Sequence, residues 1–152
     1  MFDFDTDLDD LYQQVILDHG RNPRNFREIE AATATANGFN PLCGDQITVF
    51  IGMEDGRIED ISFQGKGCAI CTASASMMTQ QVKHKTTNEV ETLFQAFHNM
   101  VAGGGDPPGE EIGKLSVFQG VRKYPIRVKC ATLPWHTLKA SLERRPDPVS
   151  TE

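Results

Sequence analysis

Gln46-Ile47-Thr48-Val49-Phe50-Ile51-Gly52-Met53-Glu54-Asp55-Gly56-Arg57-Ile58-Glu59-Asp60-Ile61-Ser62-Phe63 reads as a β-hairpin, and the class of the domain follows from it. Ile47, Val49, Ile51 and Met53 alternate with Gln46, Thr48, Phe50 and Gly52. Side chains in a strand point to opposite faces in turn, so a period of two predicts a strand with one apolar face. Asp55-Gly56 is a tight-turn signal. Ile61 and Phe63 resume the alternation, while Ile58 falls out of phase and predicts a bulge or the tail of the turn.

Upstream of the hairpin, Leu8, Leu11, Tyr12, Val15 and Ile16 follow helical spacing and predict an amphipathic helix. Thr6 with Asp9 supplies a capping signal at its start, and Gly20 followed by Asn22-Pro23 ends it. A polar stretch with a small-residue run, Ala31 to Ala36, leads into the hairpin. Downstream, Gly65-Lys66-Gly67 breaks the second strand just before Cys68. Ala69 to Val82 is rich in Ala, Ser and Met and predicts a helix. Its small residues, Ala73, Ser74, Ala75 and Ser76, would let another backbone approach closely. A third helix carries Val90, Leu93, Phe94, Phe97, Met100 and Val101, with Thr87 or Asn88 as its cap. Gly103-Gly104-Gly105-Asp106-Pro107-Pro108-Gly109 is a loop. A short helix is expected over Lys114 to Phe118. Tyr124-Pro125 then interrupts the chain, and Cys130 is expected shortly before a last helix carrying Trp135, Leu138 and Leu142. The pattern is α+β, with helices on one face of a small antiparallel sheet. Residues 1–145 form a single domain and 146–152 a flexible C-terminal tail.

The 152 residues suffice for one domain with a real core, and nine phenylalanines suit a globular chain. A net charge of −6 disfavours nucleic acid as a partner, since phosphate binding needs clustered Lys and Arg. No apolar run approaches the length of a membrane span. The acidic start, Met1-Phe2-Asp3-Phe4-Asp5, is unlike a signal or transit peptide. The expected location is therefore the cytoplasm, with neither nucleic acid nor membrane as partner.

Four cysteines are present, Cys43, Cys68, Cys71 and Cys130, and a reducing cytosol keeps them as thiols or metal ligands. Cys43 precedes the first hairpin strand and Cys68 follows the second. A hairpin returns the chain to its starting end, which makes these two neighbours in space. Cys130 could fold against the same end. Asp45 lies two residues from Cys43 across Gly44, whose conformational freedom lets both turn toward one ion. Three thiolates and a carboxylate are all acceptable ligands for tetrahedral zinc. Spacing alone leaves two readings open, a metal or thiol site and a set of small buried residues. Cys68-Ala69-Ile70-Cys71 has C-x-x-C spacing, but the βαβ surroundings of a thioredoxin-like motif are missing.

Taken together, these segments resemble the SufU branch of the IscU/SufU (NifU N-terminal-like) family. The likeness rests on Leu11-Tyr12-Gln13-Gln14-Val15-Ile16-Leu17-Asp18-His19 with Asn22-Pro23-Arg24-Asn25, and on Asn40-Pro41-Leu42-Cys43-Gly44-Asp45. It extends to Gly65-Lys66-Gly67-Cys68-Ala69-Ile70 with Ala73 to Thr79, and to Pro125-Ile126-Arg127-Val128-Lys129-Cys130-Ala131-Thr132-Leu133. Lys129 stands where IscU-type proteins carry histidine, and Gly103 to Val121 resembles a SufU insertion. Cys71 falls where the SufU pattern has another residue; a buried small side chain and a second thiol near the metal are both open for it.

The resemblance implies a three-stranded antiparallel sheet, with a further strand near Ala31 to Ala36, and zinc held by Cys43, Asp45, Cys68 and Cys130. It implies a zinc-dependent sulfurtransferase of iron–sulfur cluster assembly that accepts persulfide sulfur on Cys43 from a SufS-type cysteine desulfurase. A desulfurase side chain would take the coordination place of Cys43, and downstream Suf assembly proteins would be further partners. The alternative is a scaffold holding iron or a transient [2Fe–2S] cluster on the same ligands. Arg127 is the candidate charge partner of Asp45 or of the freed Cys43, completing a catalytic set of Cys43, Asp45 and Arg127. His84, His98 and His136 are expected on helix surfaces, and a charged His19 would suit the end of the first helix.

Overall fold

The computed structural model describes residues 4–103, 110–145 and 147–150. Helix α1 (Phe4–Arg21) begins ahead of Thr6, so the Thr6 capping expectation places its start too late. Of its apolar stripe, Ile16 is buried, with Tyr12 and Val15 packed against the core.

Three strands follow, β1 (Ala34–Asn40), β2 (Asp45–Glu54) and β3 (Arg57–Lys66). β2 pairs antiparallel with both neighbours. Asp55 and Gly56 turn the hairpin at φ 53° and 76°, the left-handed pair that matches strand twist. The register then slips between Gly52, opposite Asp60, and Met53, opposite Ile58, leaving Glu59 as the bulged residue. That slip turns Ile58 inward, where it is fully buried.

The sheet has four strands rather than the expected three. β4 (Val149–Ser150), in the stretch read from sequence as a tail, pairs in parallel with β1, giving the order β3-β2-β1-β4. The free edge of β1 offers unpaired N–H and C=O groups, which a returning chain end can satisfy. At the other edge, Asn25 and Arg27 bond to Phe63 of β3.

Helix α2 (Ala69–Val82) lies where its composition predicts, with Ala73, Ser74, Ala75 and Ser76 all buried. Helix α3 (Thr87–Val101) is capped by Thr86, one residue before the expected Thr87 or Asn88. A reciprocal pair decides this: Glu89 N–H donates to the Thr86 hydroxyl at 3.2 Å, and Thr86 N–H to the Glu89 carboxylate at 3.0 Å. The expected loop lies outside the described residues from 104 to 109. The short helix beyond it is a longer 3-10 segment, Glu110–Lys123, kinked at Gly113.

Helix α4 (Pro125–Leu142) corrects another expectation. Tyr124-Pro125 starts the helix instead of interrupting it, because Pro at the first helical position has the right φ and needs no N–H partner. Cys130 consequently sits inside α4. Trp135, buried, stacks on Phe97 of α3 at 4.8 Å and donates to Ser74 of α2 at 3.2 Å. The Ser74 hydroxyl donates in turn to Ala131 O at 2.6 Å. Three helices are tied at one point, which fixes the height of α4 above the sheet. Among the described residues no helix is long and apolar enough to cross a membrane.

Candidate metal and thiol site

The turn between β1 and β2 is built by Asn40, a buried residue. Its Oδ1 accepts from Leu42 N–H at 3.2 Å and its backbone carbonyl from Cys43 N–H at 3.3 Å, an Asx-type turn. Gly44 follows at φ 73°, a left-handed conformation costly for other residues, and it turns Asp45 inward as β2 begins. Asn40 Nδ2 also reaches Cys130 Sγ at 3.7 Å. Asn40 is a functional residue that local pattern does not single out; the Asn-Pro pair before a Gly-containing turn is the signal for this role.

Pairing of Gln46 with Lys66 brings the end of β3 back beside this turn. Cys68 caps α2, its sulfur accepting from Cys71 N–H at 3.5 Å, and its own N–H donates to Asp45 Oδ1 at 2.9 Å. Gly67 must be small here, since a Cβ on it would come within 3.1 Å of Asp45 Oδ1 and 3.2 Å of Cys71 Sγ. From the second turn of α4, Cys130 Sγ lies 3.3 Å from Cys43 Sγ, within hydrogen-bonding reach. The ligand atoms of Cys43, Asp45 and Cys130 all lie within 4.8 Å of one another. Cys68, the fourth expected ligand, is not within that distance of all three; it borders the group at the cap of α2, bonded to Asp45.

One buried oxygen of this cluster lacks a hydrogen-bond partner among the described residues. Asp45 is fully buried, and that oxygen is its Oδ2. Burying an unpaired carboxylate oxygen costs several kcal/mol in the absence of a cation or donor. The donated Cys130 thiol proton, followed by the Cys71 N–H, holds Cys68 down at about 6, against burial, which raises it. The same bond and burial push Cys130 up.

The Arg127 guanidinium stands exposed in the first turn of α4, and attraction to Cys68 above all, then to Cys130, raises its pKa. Cys71 is buried in the core, and burial, then the charges of Asp45, Cys68 and Cys43, push its thiol up. His84 lies in a turn at φ 72° rather than on a helix. His136 packs edge-on against Phe94 at 5.2 Å, half-buried instead of on the surface.

A cavity of about 770 Å³ opens beside the cluster. Tyr12 and Ile16 of α1, Val117 and Val121 of the 3-10 segment, and Ile126 and Arg127 of α4 line it, with Cys43 among its walls. Ile126 and Tyr124 stay 56% and 61% exposed at this apolar rim. Cys43 is therefore the member of the cluster that faces an open groove.

Residues 11–131 match the NifU-like N terminal domain family. A Streptococcus pyogenes serotype M1 protein named iron-sulfur cluster assembly scaffold protein IscU is 39% identical over 137 residues, 90% of this chain and 86% of that protein. The zinc-dependent sulfurtransferase SufU of Bacillus subtilis (strain 168) is 38% identical over 141 residues, 93% and 95% of the two chains. A solved structure from Fervidobacterium islandicum AW-1, described as a candidate SUF-system scaffold, superposes with a TM-score of 0.80 at 35% identity, covering 85% of this chain and 94% of that one.

Proposed function

Because the chain belongs to the NifU-like N terminal domain family, we propose that it serves iron–sulfur cluster assembly as a zinc-dependent sulfurtransferase, with Cys43 accepting persulfide sulfur from a SufS-type cysteine desulfurase. The observation that carries this reading is the buried, unpartnered Asp45 Oδ2 among the Cys43 and Cys130 sulfurs. A carboxylate and thiols gathered around an uncompensated buried charge fit a divalent cation. Cys43, Asp45, Cys68 and Cys130 would hold it, and bound zinc would keep its thiolate ligands deprotonated at neutral pH.

The remaining chemistry belongs to the chain. Asp45 and Cys130 are fully buried and form the fixed floor of the site. Cys43 rides on an exposed turn between Leu42 and Gly44 and borders the groove. The groove takes the desulfurase segment that carries the persulfide, and its apolar walls exclude water from it. Arg127 provides a positive charge where the anionic sulfur enters. The Cys43 thiolate attacks the outer persulfide sulfur. A new Sγ–S bond forms as the old S–S bond breaks, and the desulfurase cysteine leaves as a thiolate with the electron pair. Cys43 then holds the sulfur for an acceptor.

Mass spectrometry of the protein after incubation with desulfurase and cysteine tests this reading. One added sulfur on Cys43, absent from Cys43→Ala, is the expected result; undiminished sulfur loading of Cys43→Ala overturns it. The name of the Streptococcus relative supports a second reading, a [2Fe–2S] scaffold on the same ligands. Purified protein that is colourless with one zinc favours transfer, whereas brown protein with labile sulfide favours the scaffold.

A further inference from the structure

The proposed sulfur-transfer chemistry leaves Cys71 unused, although the fold places it against Cys68 in a specific way. Cys68 is the N-cap of α2, in extended conformation at φ −68° and ψ 168°, and Cys71 lies three residues into the helix. Cα–Cβ bonds in a helix tilt toward its N-terminus, so a side chain at that position leans back over the cap. The site shows this lean. Cys71 Sγ reaches to 3.2 Å from where a Cβ of Gly67 would stand, next to the residue before Cys68. Cys71 N–H already donates to the Cys68 sulfur at 3.5 Å. Positions three apart on a helix have Cβ atoms about 5–6 Å apart, and a disulfide needs about 3.5–4.5 Å. The cap residue lies outside the helical ladder, so a change in its backbone dihedrals can bring its Cβ closer.

The two thiols differ in access. Cys68 is partly exposed beside the Arg127 guanidinium, whereas Cys71 is 2% exposed and shielded from direct attack. An accessible first sulfur backed by a protected second one is the arrangement of a resolving pair. We propose that Cys71 is the resolving thiol of Cys68, closing a reversible Cys68–Cys71 disulfide when a hydroperoxide oxidises Cys68, and so withdrawing Cys68 from the metal ligands. In the first step the Cys68 sulfur attacks the peroxide oxygen, forming a sulfenic acid and releasing water or alcohol. The Cys71 sulfur, losing its proton, then attacks the Cys68 sulfur and expels hydroxide, which takes up that proton as water. Two thiols lose two electrons and the peroxide gains them. A dithiol reverses the reaction. The Cys68–Cys71 step is independent of sulfur loading on Cys43; only the release of the cation rests on the zinc-site reading.

The test uses the full-length protein as purified with its metal. Hydrogen peroxide is added to the dose at which Cys68 has lost half its reactivity toward an alkylating agent, and the protein is then denatured, alkylated and digested with trypsin. Cleavage after Lys66 and Lys83 places both thiols in one peptide, Gly67–Lys83. The expected product is that peptide two hydrogens lighter and unalkylated, restored to two alkylated cysteines by prior dithiothreitol. A chromogenic chelator should register one cation released per bridged peptide. In Cys71→Ser, Cys68 should pass on to sulfinic acid, with thiol recovery by dithiothreitol falling several-fold. Cys71 fully alkylated at that dose overturns the proposal, wherever the other cysteines have gone. A bridge formed with the cation still bound overturns the withdrawal. If Cys71→Ser does not fold, the wild-type peptide map decides alone.

Discussion

At the end of α1, where the helix dipole would favour a charged imidazole, His19 is 8% exposed and its Nδ1 lies 2.7 Å from Ser76 Oγ. Burial foremost, with the Arg24 charge, lowers its pKa below the usual histidine value, against the opposing charge of Asp18. The folded protein therefore binds fewer protons here than the unfolded chain. This contribution to stability is complete above about pH 6.5 and is lost as pH falls below it, toward the folded-state pKa. Thermal unfolding from about pH 7.5 down to pH 5 should show a falling midpoint, and His19→Gln, which can keep the bond to Ser76, should flatten that slope. An unchanged slope in His19→Gln would assign the dependence elsewhere, with half-buried His136, lowered by burial and by His98, next in line. Sequence position suggested a charged His19, and its own burial in the fold, with the Arg24 charge, reverses the sign.

Among the elements, the hairpin lies where periodicity places it and α2 where its composition does, while α4 begins earlier than expected. Local pattern works well where the signal is internal to the segment, as in Ile47 to Met53 and Ala69 to Val82. It misleads at boundaries, where one residue has two uses. Proline ends a helix or begins one, and for Pro125 the choice depends on the chain before it. The same ambiguity moved the α3 cap, since Thr86 and Thr87 are both good caps and the partner Glu89 selects Thr86. Thr86→Ala breaks both halves of that reciprocal pair and should cost about 1 kcal/mol in chemical denaturation, without changing metal content. A loss well under that value would mean that packing of Val90, Leu93 and Phe97 already fixes the start of α3.

On the scale of the molecule, the site belongs to several elements at once. The β1–β2 turn, the start of β2, the cap of α2 and the second turn of α4 each supply one candidate ligand, so metal binding and folding must be linked. A cation that binds only the folded state adds about 1.4 kcal/mol for each tenfold excess over its Kd. Asp45→Asn separates the two sides of this linkage. The amide can keep the bond from Cys68 N–H while removing a buried, uncompensated charge. The metal-free variant should therefore unfold at equal or higher denaturant than metal-free wild type, by about 1 kcal/mol. The added stability that zinc gives the wild type should largely disappear, with affinity falling on the order of 100-fold or more. A variant stabilised by zinc as strongly as the wild type would remove Asp45 from the ligand set.

The chain's own pattern determined the α+β class, the hairpin with its out-of-phase Ile58 and the helix over Ala69 to Val82, while spacing alone left the cysteines open between a metal or thiol site and small buried residues. Those features depend on neighbours within a few residues, where spacing and turn chemistry act directly. Tertiary structure alone decided that Cys130 enters from inside α4, that Val149–Ser150 complete a fourth strand, that attraction to Cys68 and Cys130 raises the pKa of Arg127, and that Asp45 Oδ2 is buried without a hydrogen-bond partner among the described residues. The reason is distance along the chain. Cys43 and Cys130 lie 87 positions apart and meet only because the sheet and the Trp135 contacts fix the height of α4. Such long-range convergence, and the burial that comes with it, is set by packing of the whole core rather than by any local run of residues.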